Sequence, residues 1–270
     1  MLNFAPFDSL AALACLIPAL LLGWIRPAKR DGAFWAAISL AIFGPASATA
    51  FNILEGWHTG LSAAIWASIT VTLGVFIGLS FWSRQTWRLM PLLMPYLSLL
   101  GLIAAIWSQA PERPLIGTAP SGWIALHILV SVSTYALATL AAVAALGAFL
   151  QERSLKRKQP TVLTRALPAM SESEGLTFSL LLGAEAVLGV GVISGFLLNL
   201  LERGQLLHFD HKTLLSLLAF LVIAALLAAH HRIGIRGRHA TRLVLVAYLL
   251  LTLAYPGVKF VTDVLISSPA

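Results

Sequence analysis

Charge is what this sequence has least of. Only 11% of its 270 residues are Asp, Glu, Lys or Arg, while 59% are hydrophobic and the mean hydropathy is +0.87. An ordinary soluble domain carries roughly 25% charged residues, so a chain this poor in charge cannot cover its own surface in water. Most of its solvent is lipid. Cysteine is nearly absent too: Cys15 stands alone inside the first apolar run. That excludes an intramolecular disulfide, and no CxxC or CxxCH serves thiol exchange or covalent cofactor attachment. No Lys or Arg precedes the first apolar run, so a basic n-region is missing and the first span is expected to be retained as an anchor. No HExxH, P-loop or dinucleotide fingerprint occurs, and no Ser, His and Asp spacing makes a hydrolase triad.

What the sequence does have is long apolar runs. In lipid only helices and closed barrels satisfy every backbone polar group, and a barrel would alternate apolar and polar residues over segments of ~10. Unbroken Leu- and Ala-rich runs such as 213–229 select helices. Runs of about 20 residues fall at 8–25, 34–54, 61–82, 89–108, 122–150, 175–200, 212–231 and 240–260. The expected fold is therefore an all-α polytopic membrane bundle of about eight spans, one membrane domain over residues 1–270. The fifth run exceeds a bilayer, so it tilts or projects 151–157 into water.

Basic residues orient the bundle. The net charge of +7 does not indicate nucleic acid, because the charges sit in short loops between apolar runs. Fourteen of the 18 Lys and Arg residues lie in alternate loops, around 26–30, 84–88, 153–165 and 232–242. The positive-inside rule puts these in the cytoplasm and both termini in the periplasm of a bacterial inner membrane. Trp57, Trp107 and Trp123 then mark the outer edges, and Trp24, Trp35, Trp82 and Trp87 the inner ones. The stretch 153–174 reads as a basic cytoplasmic loop lying on anionic headgroups, with a dock for a soluble partner as the alternative.

Ionisable groups in or near the bilayer are the functional leads, since each is costly unless paired or wet. His127 stands in the apolar stretch Trp-Ile-Ala-Leu-His-Ile-Leu-Val, with Ser131 and Tyr135 at i+4 and i+8 forming a polar stripe. Such a stripe lines a cavity in which a neutral imidazole ligates haem iron, or it glues two helices by hydrogen bonding. His208, Asp210 and His211 form a cluster before the seventh span, readable as a metal or haem-edge site or as a wet helix cap with Asp210 at the N-cap. His230 and His231 close that span, followed by Arg232, Arg236 and Arg238, by default a positive-inside stop.

In this order the features resemble the CcsA/CcmC/HemX superfamily of cytochrome c assembly proteins, and most closely its eight-span YpjD-like branch. Leu126-His127 with Thr134-Tyr135-Ala136 is similar to the family's LH-x6-[S/T]YA element, and Ser194-Gly195 sits where the family has a glycine before its outer loop. Phe209-Asp210-His211-Lys212 resembles the end of the tryptophan-rich haem-binding loop. His230 with Gly234-Ile235-Arg236-Gly237-Arg238 is similar to the histidine before GWRGR, and Tyr255-Pro256-Gly257-Val258-Lys259-Phe260 to YFGVNF. The resemblance implies haem at the outer face, with His127 as outer axial ligand, His230 as inner one and Asp210 in the haem-edge loop. The departures are as specific. The loop 205–210 has no tryptophan, and 261–270 has no second outer histidine. His208 or His211 would then stand in opposite His127.

These readings converge on an inner-membrane protein that binds or passes haem, not an enzyme that makes bonds. Its partners are the lipid bilayer, haem and other membrane or cytochrome-assembly proteins. The rim residues Arg232, Arg236 and Arg238 would pair with propionates. The alternative is a HemX-like assembly or regulatory partner whose haem site has decayed. A small-solute transporter would show discontinuous helices and inverted repeats, and the sequence displays neither.

Overall fold

The computed structural model describes residues 5–25, 29–54, 58–83, 85–109, 113–114, 121–204, 211–235 and 237–261. For 5–8, 58–59, 113–114, 121 and 202–203 it describes the backbone alone. The chain forms α1 (Ala5–Ile25), α2 (Gly32–Leu54), α3 (Leu61–Trp82), α4 (Met90–Ile106), α5 (Ser121–Arg157) and the short α6 (Val162–Ala166). It continues through α7 (Met170–Arg203), α8 (His211–Ile233) and α9 (Gly237–Thr252) to a π-helical turn (Leu253–Gly257) and α10 (Val258–Phe260). A two-residue antiparallel pair joins His58–Thr59 to Arg113–Pro114. Seven helices are long and apolar enough to cross a membrane, and α1 adds an apolar helix whose side-chain-resolved part, Ser9–Ile25, is shorter. The all-α polytopic bundle expected from the sequence is what forms.

Two groups of helices share one seam. In the first, α1 packs on α2 and α4, and α3 on α2 and α4; in the second, α5 packs on α7 and α9, and α8 on both of these. The seam is α3 against α5. Within its apolar window α5 is 67% buried, against 17% for α8, so α5 is the axis and α8 faces lipid. Small residues make that axis: Ala136, Ala141, Ala144 and Ala145 are at most 3% exposed. Between helices already in lipid, burial adds little, and close van der Waals approach of small residues drives association. Large side chains meanwhile face outward, as Trp82 (93% exposed) and Phe43 (68%) do.

Two expectations need correction. The stretch 153–174 is not a loop. Helix α5 runs to Arg157 as one 37-residue helix, α6 is closed by a reciprocal Thr161–Thr164 capping box, and α7 begins at Met170. The link is pinned to the bundle by Arg88, which donates to the carbonyls of Ala166 (3.0 Å) and Arg165 (3.0 Å). Gln151 also donates from its amide to Thr164 O at 2.7 Å. The other is the course of the last span, read as one apolar run over 240–260, which the structure divides. Pro256 has no N–H to give the helix, and the backbone widens into the π turn around it.

The tightest interhelical approach is α1 on α2. A Cβ on Gly44 would lie 2.8 Å from Ala12 Cα and 2.8 Å from Cys15 Cβ, closer than carbon atoms pack. Gly44→Val should therefore lower stability by about 1–3 kcal/mol, read by thermal unfolding in detergent. Gly78→Ala, at a position with open space around it, should leave the transition unchanged or raise it.

Candidate functional site

The polar stripe of α5 lies on the wall of a cavity. His127, Ser131 and Tyr135 line it together with Leu188, Gly191, Gly195 and Asn199 of α7 and Lys212, Thr213 and Ser216 of α8. Tyr255 and Leu251 complete the lining, and the cavity encloses about 250 Å³. Glycine makes room for it. A Cβ on Gly195 would sit 3.3 Å from His127 Cε1, and one on Gly191 3.3 Å from Val130. The spacing of these two glycines, four apart, is the small-xxx-small pattern that lets membrane helices approach.

The Ser194 hydroxyl has one proton and two acceptors in reach, Gly191 O at 2.9 Å and His127 Nδ1 at 2.8 Å. When that proton goes to Gly191 O, the Ser194 oxygen accepts from His127 Nδ1–H. The other nitrogen, Nε2, then keeps an unshared pair, the form in which imidazole ligates a metal. A hydrogen bond at the second ring nitrogen is how a ligating histidine is oriented, and here a hydroxyl stands where a carboxylate, carbonyl or water is usual. Both sequence readings of His127 are thus physically present: it bonds a neighbouring helix and it lines a cavity.

Beneath the cavity all four tyrosines of the chain converge. Tyr135 and Tyr255 line it, with ring centroids 6.0 Å apart. Tyr96 of α4 bonds the hydroxyl of Tyr135 at 2.9 Å and that of Tyr248, and Tyr248 donates to Tyr135 at 3.1 Å. Thr139 lies 3.0 Å from Tyr248 Oη, and the Tyr135 and Tyr248 rings stack at 5.5 Å. Hydroxyls from α4, α5 and α9 thereby meet in one knot across the seam.

His208 and Asp210 fall outside the described residues, as does Arg236. His211 is exposed at the start of α8, one residue before the cavity-lining Lys212. His230 lies at the opposite end. Its Nδ1–H donates to Ile235 O at 3.0 Å, and its ring stacks on Phe178 with centroids 3.4 Å apart. The nearest cavity residue on α8, Leu217, precedes it by 13 positions, ~20 Å of helix. No single porphyrin therefore reaches both histidines. Arg238 lines a different hollow, with the end of α5. Among the described residues no three His, Cys, Asp or Glu side chains converge on a metal position.

One charged residue escaped the sequence reading. Glu185 is the only charged residue in the run 175–200, and both its carboxyl oxygens are buried without a hydrogen-bond partner. Phe178 faces His230 and Gly189 faces Phe220, an antiparallel register that sets Glu185 level with Ile223 and Ala224 of α8. A carboxyl group at that depth is costly, and its isolation in an apolar run was the available signal.

Comparison with known proteins adds a family. The profile of the cytochrome C assembly protein family matches residues 58–266. An "Uncharacterized 28.8 kDa protein in nifR3-like 5'region" of Azospirillum brasilense is 53% identical over 263 residues, 96% of this chain and 97% of that protein. Protein HemX of Brevibacillus brevis is 24% identical over 187 residues, 68% of each chain. No solved structure matches.

The tyrosine knot makes a stability prediction. Tyr248→Phe removes the hydroxyl shared by contacts to Tyr96, Tyr135 and Thr139, and should cost roughly 1–2 kcal/mol in thermal or denaturant unfolding. Thr252→Ala, whose hydroxyl bonds only Tyr248 O of its own helix, should change stability by less than about 0.5 kcal/mol.

Proposed function

Because this chain belongs to the cytochrome C assembly protein family, we propose that it binds or passes haem in the bacterial inner membrane, with His127 as the axial ligand. The observation that supports this most is the placement of that imidazole: Nδ1 bonded to Ser194, with the ring on a cavity wall. The donor set fits the group. The enclosed 250 Å³ is below the ~300–1,000 Å³ of typical ligand pockets, so a porphyrin seated there keeps one edge outside it. Bound haem would supply an iron centre for the imidazole and propionates for cationic partners. The chain's own residues do the rest. Ser194 holds the ring, Gly195 leaves it space, Leu188 and Leu251 keep water off one side, and Lys212 offers a cation at the α8 end. Asp210 and His208 or His211 belong to the same site in this reading, and His230 to a separate one at the basic end.

The basic end faces the cytoplasm in this proposal, and both termini the periplasm. A second reading, a HemX-like assembly partner without haem, draws on the likeness to protein HemX and on the tryptophan-free segment 205–210. In that case the His127–Ser194 bond is glue alone.

Anaerobically purified protein titrated with hemin separates the two. The wild type should develop a Soret band, and His127→Ala should abolish it while the fold persists. Ser194→Ala should weaken haem affinity by about 10–100-fold, and Asp210→Ala should weaken retention. A wild type with no Soret band, or a His127→Ala variant that keeps it and merely melts earlier, contradicts haem ligation. For orientation, alkaline phosphatase fused after residue 270 should be active, and an inactive fusion reverses the assignment.

A further inference from the structure

At the basic end, far from the cavity, a second hollow of about 420 Å³ opens between the end of α5 and the start of α9, lined by Phe149, Glu152, Arg153, Lys156, Arg157 and Arg238. Four of these six are cations. The single carboxylate is already engaged, since Glu152 pairs with Lys156. Its other oxygen is buried and lies 3.4 Å from where a Cβ of Gly237 would be. Gly237 has φ of 64°, and its N–H donates to Glu174 Oε1 at 3.1 Å. The start of α9 is thus bonded to Glu174 of α7 and lies close against Glu152 of α5, and this junction places Arg238 beside the arginines of α5. Among the described residues Arg153, Arg157 and Arg238 have no ion-pair partner. Like charges converging on one hollow repel, and an anion with several acceptor oxygens relieves that.

Height decides which anion. Phe149 and Arg157 lie 22 and 30 residues beyond His127 on one unbroken helix, ~33 and ~45 Å along its axis. A hydrocarbon core is ~30 Å thick, so the hollow sits in the headgroup layer of the leaflet at the basic end. Its chemistry matches that layer, with an aromatic ring at the lipid side and guanidinium forks above it. Guanidinium suits phosphate oxygens through paired N–H donors. On the far side of the same helix turn, Ile235, His239, Arg242 and Leu243 line another hollow with an apolar floor and a basic rim.

We propose that the hollow between α5 and α9 binds a phosphate-bearing anion, and that in the membrane this is the headgroup of an anionic phospholipid clamped by Arg153, Arg157 and Arg238. The lipid bridges the two helices whose mutual repulsion is otherwise unscreened, and so ties the junction at Gly237 to the bilayer.

The test uses full-length protein in phosphatidylcholine vesicles with or without phosphatidylglycerol. Phosphatidylglycerol should raise the unfolding temperature of the wild type, and native mass spectrometry should find it retained after delipidation. Arg153→Gln/Arg157→Gln/Arg238→Gln should lose both effects, with affinity down on the order of a hundredfold at about fivefold per basic residue, and should melt above the wild type in phosphatidylcholine alone, where the wild type keeps its unscreened repulsion. Lys29→Gln/Arg165→Gln/Arg232→Gln, equal in charge and at the same end, should keep both effects. Should the first triple variant fail to fold, Arg238→Gln alone should show a partial loss of retained lipid. Equal melting in the two lipids, or equal losses in both triple variants, overturns the site. Stabilisation by inorganic phosphate in phosphatidylcholine that matches the lipid effect overturns the lipid assignment.

Discussion

The closest dependence in this molecule is the approach of α7 to α5 at Gly191 and Gly195. Because neither residue has a Cβ, Val130 and the His127 ring lie within 3.3 Å of where one would be, and Ser194 comes within hydrogen-bond reach of Nδ1. A side chain at 195 would press on the imidazole directly. One at 191 would part the helices and break the Ser194 contact. The His127–Ser194 bond and the α5–α7 wall of the cavity both follow from that approach. In lipid this is also where stability originates, since helices gain little from hiding apolar surface and much from fitting together.

Polar groups inside the bundle divide into two kinds. Many serine and threonine hydroxyls bond the i−4 carbonyl of their own helix, as Thr72, Ser131, Thr134 and Thr177 do. Such bonds by themselves say little about neighbours. The tyrosines, His127, His230 and Glu185 cannot do this, and they mark where the chain has distant business. Four tyrosines gather at the seam, two histidines bond through Nδ1 at opposite ends, and among the described residues one carboxyl group stands unpartnered at mid-depth. Function in this bundle is legible in the polar groups that local geometry leaves over.

The spans were legible because hydropathy counts residues against a fixed thickness, and lipid enforces the helix wherever the run is long enough. Charge placement located the basic end equally simply. The stripe of His127, Ser131 and Tyr135 was legible from helical periodicity, and the structure sets all three on one wall. What periodicity could not show is partners. Tyr96 and Tyr248 meet across 152 residues of chain, and nothing local in either segment announces it. The stretch 153–174 misled because its charge reads as loop, although charged residues are good helix formers in water and α5 simply continues past the bilayer. The π turn was hidden in an apolar run whose only mark is Pro256. Glu185 was visible in the sequence but was overlooked among stronger histidine signals.

The proposal that His127 ligates haem turns on one proton position: it requires that Nδ1 of His127 carry hydrogen and that Nε2 be bare. Nitrogen-15 solid-state NMR of histidine-labelled protein in bilayers measures this directly, with the His127 signals identified by their loss in His127→Gln. The account predicts a neutral ring with a protonated Nδ1 and a bare Nε2. A ring protonated at Nε2 with Nδ1 bare, or protonated at both nitrogens, would contradict it.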